Sequence, residues 1–165
     1  MKKLTHIEPD AGPVMKDVSG KQSTKRRAVA SGTVYMKSET LKRILSLSVE
    51  KGNVLEVARV AGIMGAKKVP DIIPLCHPIL IDSVRVFIDP DRAGACLKIR
   101  AEAVAVGRTG VEMEALTAVA AAALTVYDMC KSLDREIRIA DIILLEKSGG
   151  KSGRFVRRDG GVSQA

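Results

Sequence analysis

The hydrophobic pattern of the chain switches several times between a two-residue and a three-to-four-residue period, which distinguishes strands from helices. Residues 1–25 mix Pro, Gly, Lys and Asp with weak periodicity and read as an arm or loop. Residues 27–36 fit either state, but Ala28, Ala30, Val34 and Met36 share one parity around Gly32, which favours a strand. Ser38 ahead of Glu39, Thr40 and Leu41 has the form of an N-cap, and Leu41, Ile44, Leu45 and Ser48 follow at helical spacing. After a turn at Lys51-Gly52-Asn53, a second helix is predicted over about 54–68. Its core stripe is Val54, Val57, Ala58, Ala61, Met64 and Gly65, and Pro70 stops it.

A loop between Pro74 and Pro78 encloses Leu75, Cys76 and His77. Val84, Val86 and Ile88 then alternate with Arg85 and Phe87 as a strand, and residues 89–94 form a turn. A partner strand alternates Leu97, Ile99, Ala101 and Ala103 against Lys98, Arg100 and Glu102. The loop Gly107-Arg108-Thr109-Gly110 opens the longest helix, about 111–133, whose core stripe is Leu116, Val119, Ala123, Val126 and Cys130. A last strand over 137–146 leads into a Gly-rich tail. With the first two helices taken as one crossover, the order is the split β-α-β of a ferredoxin-like sandwich: α+β, an antiparallel sheet with helices on one face. The expected organisation is an arm (1–25), one catalytic domain (26–148) and a flexible basic tail (149–165).

Composition narrows the function. At 165 residues the chain suits one domain. The N-terminus lacks the apolar core of a secretory signal, and no apolar run approaches the roughly 18 residues of a membrane helix, so a cytoplasmic protein is expected. Cys76, Cys96 and Cys130 are too widely spaced for a zinc or redox motif and read as reduced core residues. The net charge of +8 suggests a polyanionic partner. Residues 1–30 carry seven Lys/Arg against three acids and residues 151–165 four against one, so the body is almost neutral. With no Trp, two Tyr and two Phe, the chain lacks stacking platforms for single-stranded nucleic acid, which is disfavoured as a partner.

Candidate chemistry gathers at the ends of the long helix. Glu112 and Glu114 stand at its start, where the dipole welcomes acids; Asp128 stands at its end, where it does not, one turn before Lys131. Fourteen residues separate Glu114 from Asp128, about 21 Å along a helix. One small ligand can meet both ends only if antiparallel helices of two subunits bring them together. His77, between rigid prolines, suits a binding loop. Lys147-Ser148-Gly149-Gly150-Lys151-Ser152-Gly153 is not a Walker A loop, because Leu145 occupies the first glycine position, yet its backbone N–H groups can still wrap phosphate. Lys21, Lys25, Arg26 and Arg27 are either a phosphate cluster or a solvated face.

Several strings now occur together, in order: Met15-Lys16-Asp17-Val18-Ser19, Lys51-Gly52-Asn53-Val54-Leu55, Ala58-Arg59-Val60-Ala61-Gly62-Ile63 and Ile73-Pro74-Leu75-Cys76-His77-Pro78. They continue with Gly107-Arg108-Thr109-Gly110-Val111-Glu112-Met113-Glu114-Ala115-Leu116-Thr117, Tyr127-Asp128-Met129-Cys130-Lys131 and the stretch from Leu144 to Gly153. From Leu4 to Gly153 the chain resembles the C-protein family of molybdenum cofactor biosynthesis, the cyclic pyranopterin monophosphate synthases. The resemblance implies a lyase that rearranges 3′,8-cyclo-7,8-dihydroguanosine 5′-triphosphate to cyclic pyranopterin monophosphate and releases diphosphate. It also implies a hexamer of dimers with sites at subunit interfaces, and no resident cofactor or metal beyond Mg accompanying the triphosphate. Carried over, Asp128, Lys131 and Lys51 are the expected catalytic residues. Leu75, Cys76, His77, Met113 and Glu114 are expected to bind substrate, with Glu112, Asp17 and Lys147 beside them. The cations expected to matter are then Lys51, Lys131 and Lys147, all from the balanced body, and the positive tail after Gly153 has no assigned role. Val69-Pro70-Asp71 departs from the Thr/Ser-containing stretch of the family pattern. The alternative is a small basic RNA-associated module on the same sheet.

Overall fold

A computed structural model describes residues 7–8 and 12–158. Two short strands, β1 (Ile7–Glu8) and β2 (Gly12–Pro13), pair antiparallel within the arm. The body contains β3 (Thr24–Tyr35), α1 (Ser38–Leu45), α2 (Val54–Lys67), α3 (Val69–Ile72), β4 (Ser83–Asp91), β5 (Cys96–Gly107), α4 (Glu112–Cys130) and β6 (Arg138–Ser148), followed by β7 (Phe155–Val156). All pairings of the five-stranded sheet, ordered β4-β5-β3-β6-β7, are antiparallel. Its four long strands and two crossovers make the expected ferredoxin-like α+β sandwich.

Alternation sets the two faces of the sheet. Ala28, Ala30 and Val34 of β3 and Leu97, Ile99, Ala101, Ala103 and Ala105 of β5 are buried. Their neighbours Arg27, Lys98, Arg100 and Glu102 point to the opposite face. α4 covers the buried face and is itself covered by α2, so its burial extends beyond the expected stripe to Ala115, Ala118, Ala122 and Met129. That sandwiching explains its composition. By length and mean hydropathy (1.3) α4 could cross a bilayer, but here it is the central core helix.

Small residues decide how α2 meets α4. The buried positions of α2 are Val54, Ala58, Gly62 and Ala66, whereas Val57 and Met64, expected in the core, are 45% and 58% exposed. A Cβ on Gly62 would stand 2.9 Å from the Ala118 carbonyl oxygen, and one on Gly65 2.6 Å from the Ala121 Cβ. Close approach of two backbones therefore selected the face, and the larger apolar side chains turned outward.

Four other expectations change. Pro70 does not merely end α2; it lies in the first turn of α3, where its missing N–H costs nothing. β4 continues through Asp89, Pro90 and Asp91, because Asp91 pairs with Cys96 and the turn is confined to residues 92–95. β3 begins at Thr24, so the arm enters the sheet earlier than its predicted boundary. Phe155 and Val156 pair with Lys147 and Glu146, so this part of the tail is a strand of the sheet.

The start of α1 is a further correction, and it carries energetic weight. Ser38 is its first residue and not its cap, and Lys37 at the cap position makes no side-chain cap bond. The fully buried Asp134, from the turn after α4, accepts from the Lys37 backbone N–H at 2.8 Å and the Thr40 hydroxyl at 3.3 Å through Oδ2. Its Oδ1 accepts from the Glu136 N–H at 3.1 Å. Burial alone would raise this carboxyl, but the N–H donors prevail and hold it below the usual range. Asp134→Ala would strand these donors and is expected to lower stability by about 1–3 kcal/mol, against less than about 0.5 for Ser38→Ala. Urea unfolding of the two variants checks this; equal losses would contradict the assignment.

Candidate functional site

α4 carries polar chemistry at both ends and apolar packing between. At its C-terminal end, Asp128 meets two lysines. Lys131 Nζ lies 2.7 Å from Oδ1 and Lys51 Nζ 3.1 Å from Oδ2, so each carboxylate oxygen has its own ammonium. Lys51 comes from the turn ahead of α2 and also donates to the Asp128 carbonyl oxygen at 2.8 Å. An acid in the last helical turn opposes the dipole, and these cations offset that penalty. Lys131, then Lys51, hold the Asp128 carboxyl below its ordinary range, while Asp128 raises the Lys131 ammonium. The ion-paired state therefore persists over a wider pH range than free side chains would allow. All three side chains are about half exposed and reachable by a ligand.

The other end is built differently. Gly107 to Gly110 turn the chain from β5 into α4, and the Glu112 carboxylate occupies the space a Cβ on Gly110 would need. Glu114, in the first turn of the helix, is 2% exposed, and its Oε2 is buried without a hydrogen-bond partner among the described residues. Burial raises its pKa; its own backbone N–H opposes this in part, and the nearby Glu112 charge reinforces it. Opposite stands the proline-bounded loop, which α3 launches and the Cys76 N–H to Ile73 carbonyl bond (3.1 Å) tightens. Leu75, Cys76, His77, Met113 and Glu114 together line a cavity of about 360 Å³. Burial, then the Glu114 charge, raises the Cys76 thiol, so it remains protonated there.

This cavity adjoins a larger cleft of about 860 Å³, and the two share Lys16, Lys21, Thr109, Gly110 and Glu112. Arg26, Arg108, Lys147 and Lys151 add positive charge to the cleft, and Ser148, Gly149, Gly150 and Ser152 supply its Gly-rich wall. Arg26 is buried, donating to the Gly107 and Arg108 carbonyl oxygens at 3.1 and 3.2 Å. Lys147 pairs with Glu112 at 3.5 Å and donates to the Ser152 hydroxyl.

The structure therefore brings the expected residues together in two groups. Leu75, Cys76, His77, Glu112, Met113, Glu114 and Lys147 gather at the N-terminal end of α4; Lys51, Asp128 and Lys131 gather at the other. Asp17 lines neither cavity. Its carboxyl is lowered chiefly by the Ser19 N–H and hydroxyl, with smaller effects from Arg108 and His77. The cleft also gathers cations outside the expected set of Lys51, Lys131 and Lys147. Lys16, Lys21 and Arg26 come from the basic N-terminal segment and Lys151 from the tail, so the terminal charge does converge on the cleft. Of the cluster left open between phosphate binding and solvation, Lys21 and Arg26 line the cleft, whereas Arg27 faces away and pairs with Glu102 and Glu146. Among the described residues, no group of three His, Cys, Asp or Glu side chains could hold a metal ion.

A ferredoxin-like sandwich with a Lys–Asp–Lys centre, an orphaned buried carboxyl and a basic cleft belongs to a class of small-molecule enzymes more readily than to RNA-binding modules. The MoaC family model matches residues 15–150. The chain is 54% identical over 154 residues to the cyclic pyranopterin monophosphate synthase of Thermoanaerobacter sp. (strain X514), covering 93% of this chain and 98% of that relative. It is 55% identical to the enzyme of that name from Magnetococcus marinus, over 95% and 96% of the two chains. The Listeria monocytogenes protein of the same name is 53% identical, over 92% and 94%. The chain belongs to the MoaC family.

Glu114 offers a test independent of turnover. Its folded pKa is raised, so the folded state holds a proton that the unfolded state has lost, and stability falls as pH rises through that window. Glu114→Gln is expected to raise the urea midpoint at pH 8 and to lose that advantage near pH 4, below the unfolded Glu value. A destabilised Glu114→Gln at pH 8 would contradict the burial argument.

Proposed function

We propose that this chain converts 3′,8-cyclo-7,8-dihydroguanosine 5′-triphosphate to cyclic pyranopterin monophosphate, releasing diphosphate through lysine–carboxylate acid–base chemistry. The observation that carries the reading is the continuity of the two cavities. The unpartnered Glu114 Oε2 suits an N–H donor of an aminopyrimidinone edge, and the adjoining cleft, rich in Lys, Arg and glycine N–H groups, suits a polyphosphate. A substrate carrying both features spans the shared residues Lys16, Lys21 and Glu112. The names of the relatives support the product.

The chemistry requires protons to move as the purine ring opens and the pyranopterin closes. Asp128, kept ionised, orients the Lys131 ammonium at 2.7 Å, and Lys51 supplies a second positioned ammonium. A lysine against a carboxylate can exchange its proton with substrate while the pair keeps its orientation. Cations lining the cleft stabilise negative charge as diphosphate leaves. No resident cofactor enters this scheme, and any Mg would arrive with the triphosphate.

Distance adds the quaternary proposal. Asp128 and Glu114 are fourteen positions apart on one rigid helix, about 21 Å, too far for one substrate to bridge within a chain. Two α4 helices related by a two-fold axis would put the Asp128 group of one protomer beside the Glu114 cavity of its partner, in equivalent pairs. A hexamer of such dimers, working in the cytoplasm, is the assembly the reading favours.

Asp128→Asn or Lys131→Ala is expected to lower the rate of conversion of the cyclised nucleotide by at least about 100-fold. Both positions are exposed, so the unfolding midpoint and assembly should hold. Single-turnover assays following diphosphate release, with sedimentation for the assembly, provide the check. Wild-type turnover by both variants would refute the catalytic assignment.

A further inference from the structure

The tail after Gly153 had no role in sequence, yet the structure ties it to the basic cleft from behind. Glu146 and Lys147 are consecutive on β6 and point to opposite faces of the sheet. On the cleft side, Lys147 donates to the Ser152 hydroxyl. On the far side, Glu146 divides its two oxygens: Oε1 accepts from Arg154 Nε at 3.0 Å, and Oε2 from Arg27 at 3.0 Å. Arg27 reaches on to Glu102 at 2.8 Å, so four charges of alternating sign cross three strands and end at the tail. Arg27 is the largest influence lowering the Glu146 carboxyl and Arg154 a further one, so the acceptor of this clip stays ionised.

The turn between these anchors has little freedom to shift inward. Gly149 and Gly150 have φ of +97° and +75°, and a Cβ would run into the Lys25 carbonyl oxygen at the first and the Arg26 guanidinium at the second. The Gly153 N–H closes onto the Gly150 carbonyl oxygen at 3.1 Å, and the Arg157 N–H onto the Leu145 carbonyl oxygen at 2.7 Å. The turn is thus seated on Arg26 at one end and clipped by Arg154 at the other, with Lys151 and Ser152 between them on the cleft wall.

We propose that Arg154 is a positioning residue: through Glu146 it holds the 149–153 turn shut, so that Lys151 and Ser152 form the outer wall of the phosphate subsite. The proposal rests on the polyphosphate reading of the cleft. Arg154 is 68% exposed, and its guanidinium is engaged on the far face of the sheet, so it acts on bound phosphate only through the turn. An exposed ion pair contributes little to global stability, which separates this role from a structural one.

The test uses the full-length chain and inorganic triphosphate. In Arg154→Ala, the amides of Gly153 and Arg157 should exchange hydrogen about tenfold faster without any anion, and triphosphate should bind about tenfold more weakly, with an unchanged unfolding midpoint. Arg154→Lys should restore most of both. Glu146→Gln should reproduce the loss, and the double variant should be no worse than either single one. In turnover the defect should fall on KM and leave kcat near wild type. Unchanged exchange would overturn the proposal, as would faster exchange with unchanged triphosphate affinity. Additive losses in the double variant would also overturn it, because Arg154 would then contact phosphate directly. Failure of the functional reading looks different: wild-type protein would not turn over the cyclised nucleotide, whatever Arg154 does to the turn.

Discussion

The burial of α4 is the constraint on which the rest of the structure depends. The helix lies between the sheet and α2, packed so closely that only hydrogen atoms at Gly62 and Gly65 leave room for its Ala118–Ala121 surface. A rod held in this way cannot bend or slide to bring its ends together. Polar side chains are pushed to its two termini, where loops converge: the 107–110 turn, the arm and the Pro74–Pro78 loop at one, the Lys51 turn at the other. The fold thereby presents a cavity and a Lys–Asp–Lys cluster as separate halves.

The two halves solve opposite electrostatic problems. Asp128 sits where the helix dipole disfavours an acid, in water, and is kept ionised by Lys131 and Lys51. Glu114 sits in the first helical turn, where the dipole favours an acid, yet burial without a partner for Oε2 pushes its carboxyl toward the neutral form. One carboxylate is held charged between two ammonium groups, and the other keeps an oxygen whose hydrogen-bonding need is unmet among the described residues. Between the cavity and solvent lies the cleft, where basic residues from both chain termini fold inward.

What the sequence made legible follows from what is local. Strand parity located the inward faces of β3 and β5, and three-four spacing located the buried side of α4. The run of motifs picked out most of the residues that the structure gathers at the two ends of α4. Non-local relations stayed hidden. Asp134 ties down α1 from 97 positions beyond Lys37, so Ser38 drew the assignment instead. The face of α2 was misjudged because the approach of α4 selects small residues, whereas the pattern weights large ones. Arg26 looked like one member of a basic run until its hydrogen bonds to Gly107 and Arg108, across the sheet, separated it from Arg27. For the same reason the terminal excess of charge looked remote from the site: its place in the cleft depends on the sheet order, not on sequence distance.

The central claim is that opposite ends of α4, from two different protomers, complete each site. Co-folding Asp128→Asn chains with Glu114→Ala chains, each inactive alone, tests it most directly. Random pairing of the two should return roughly a quarter of wild-type turnover, because a mixed dimer carries one site with both defects and one with neither. If the sites lie within single chains, every site in the mixture keeps a defect, and no activity above that of either variant alone would contradict the account.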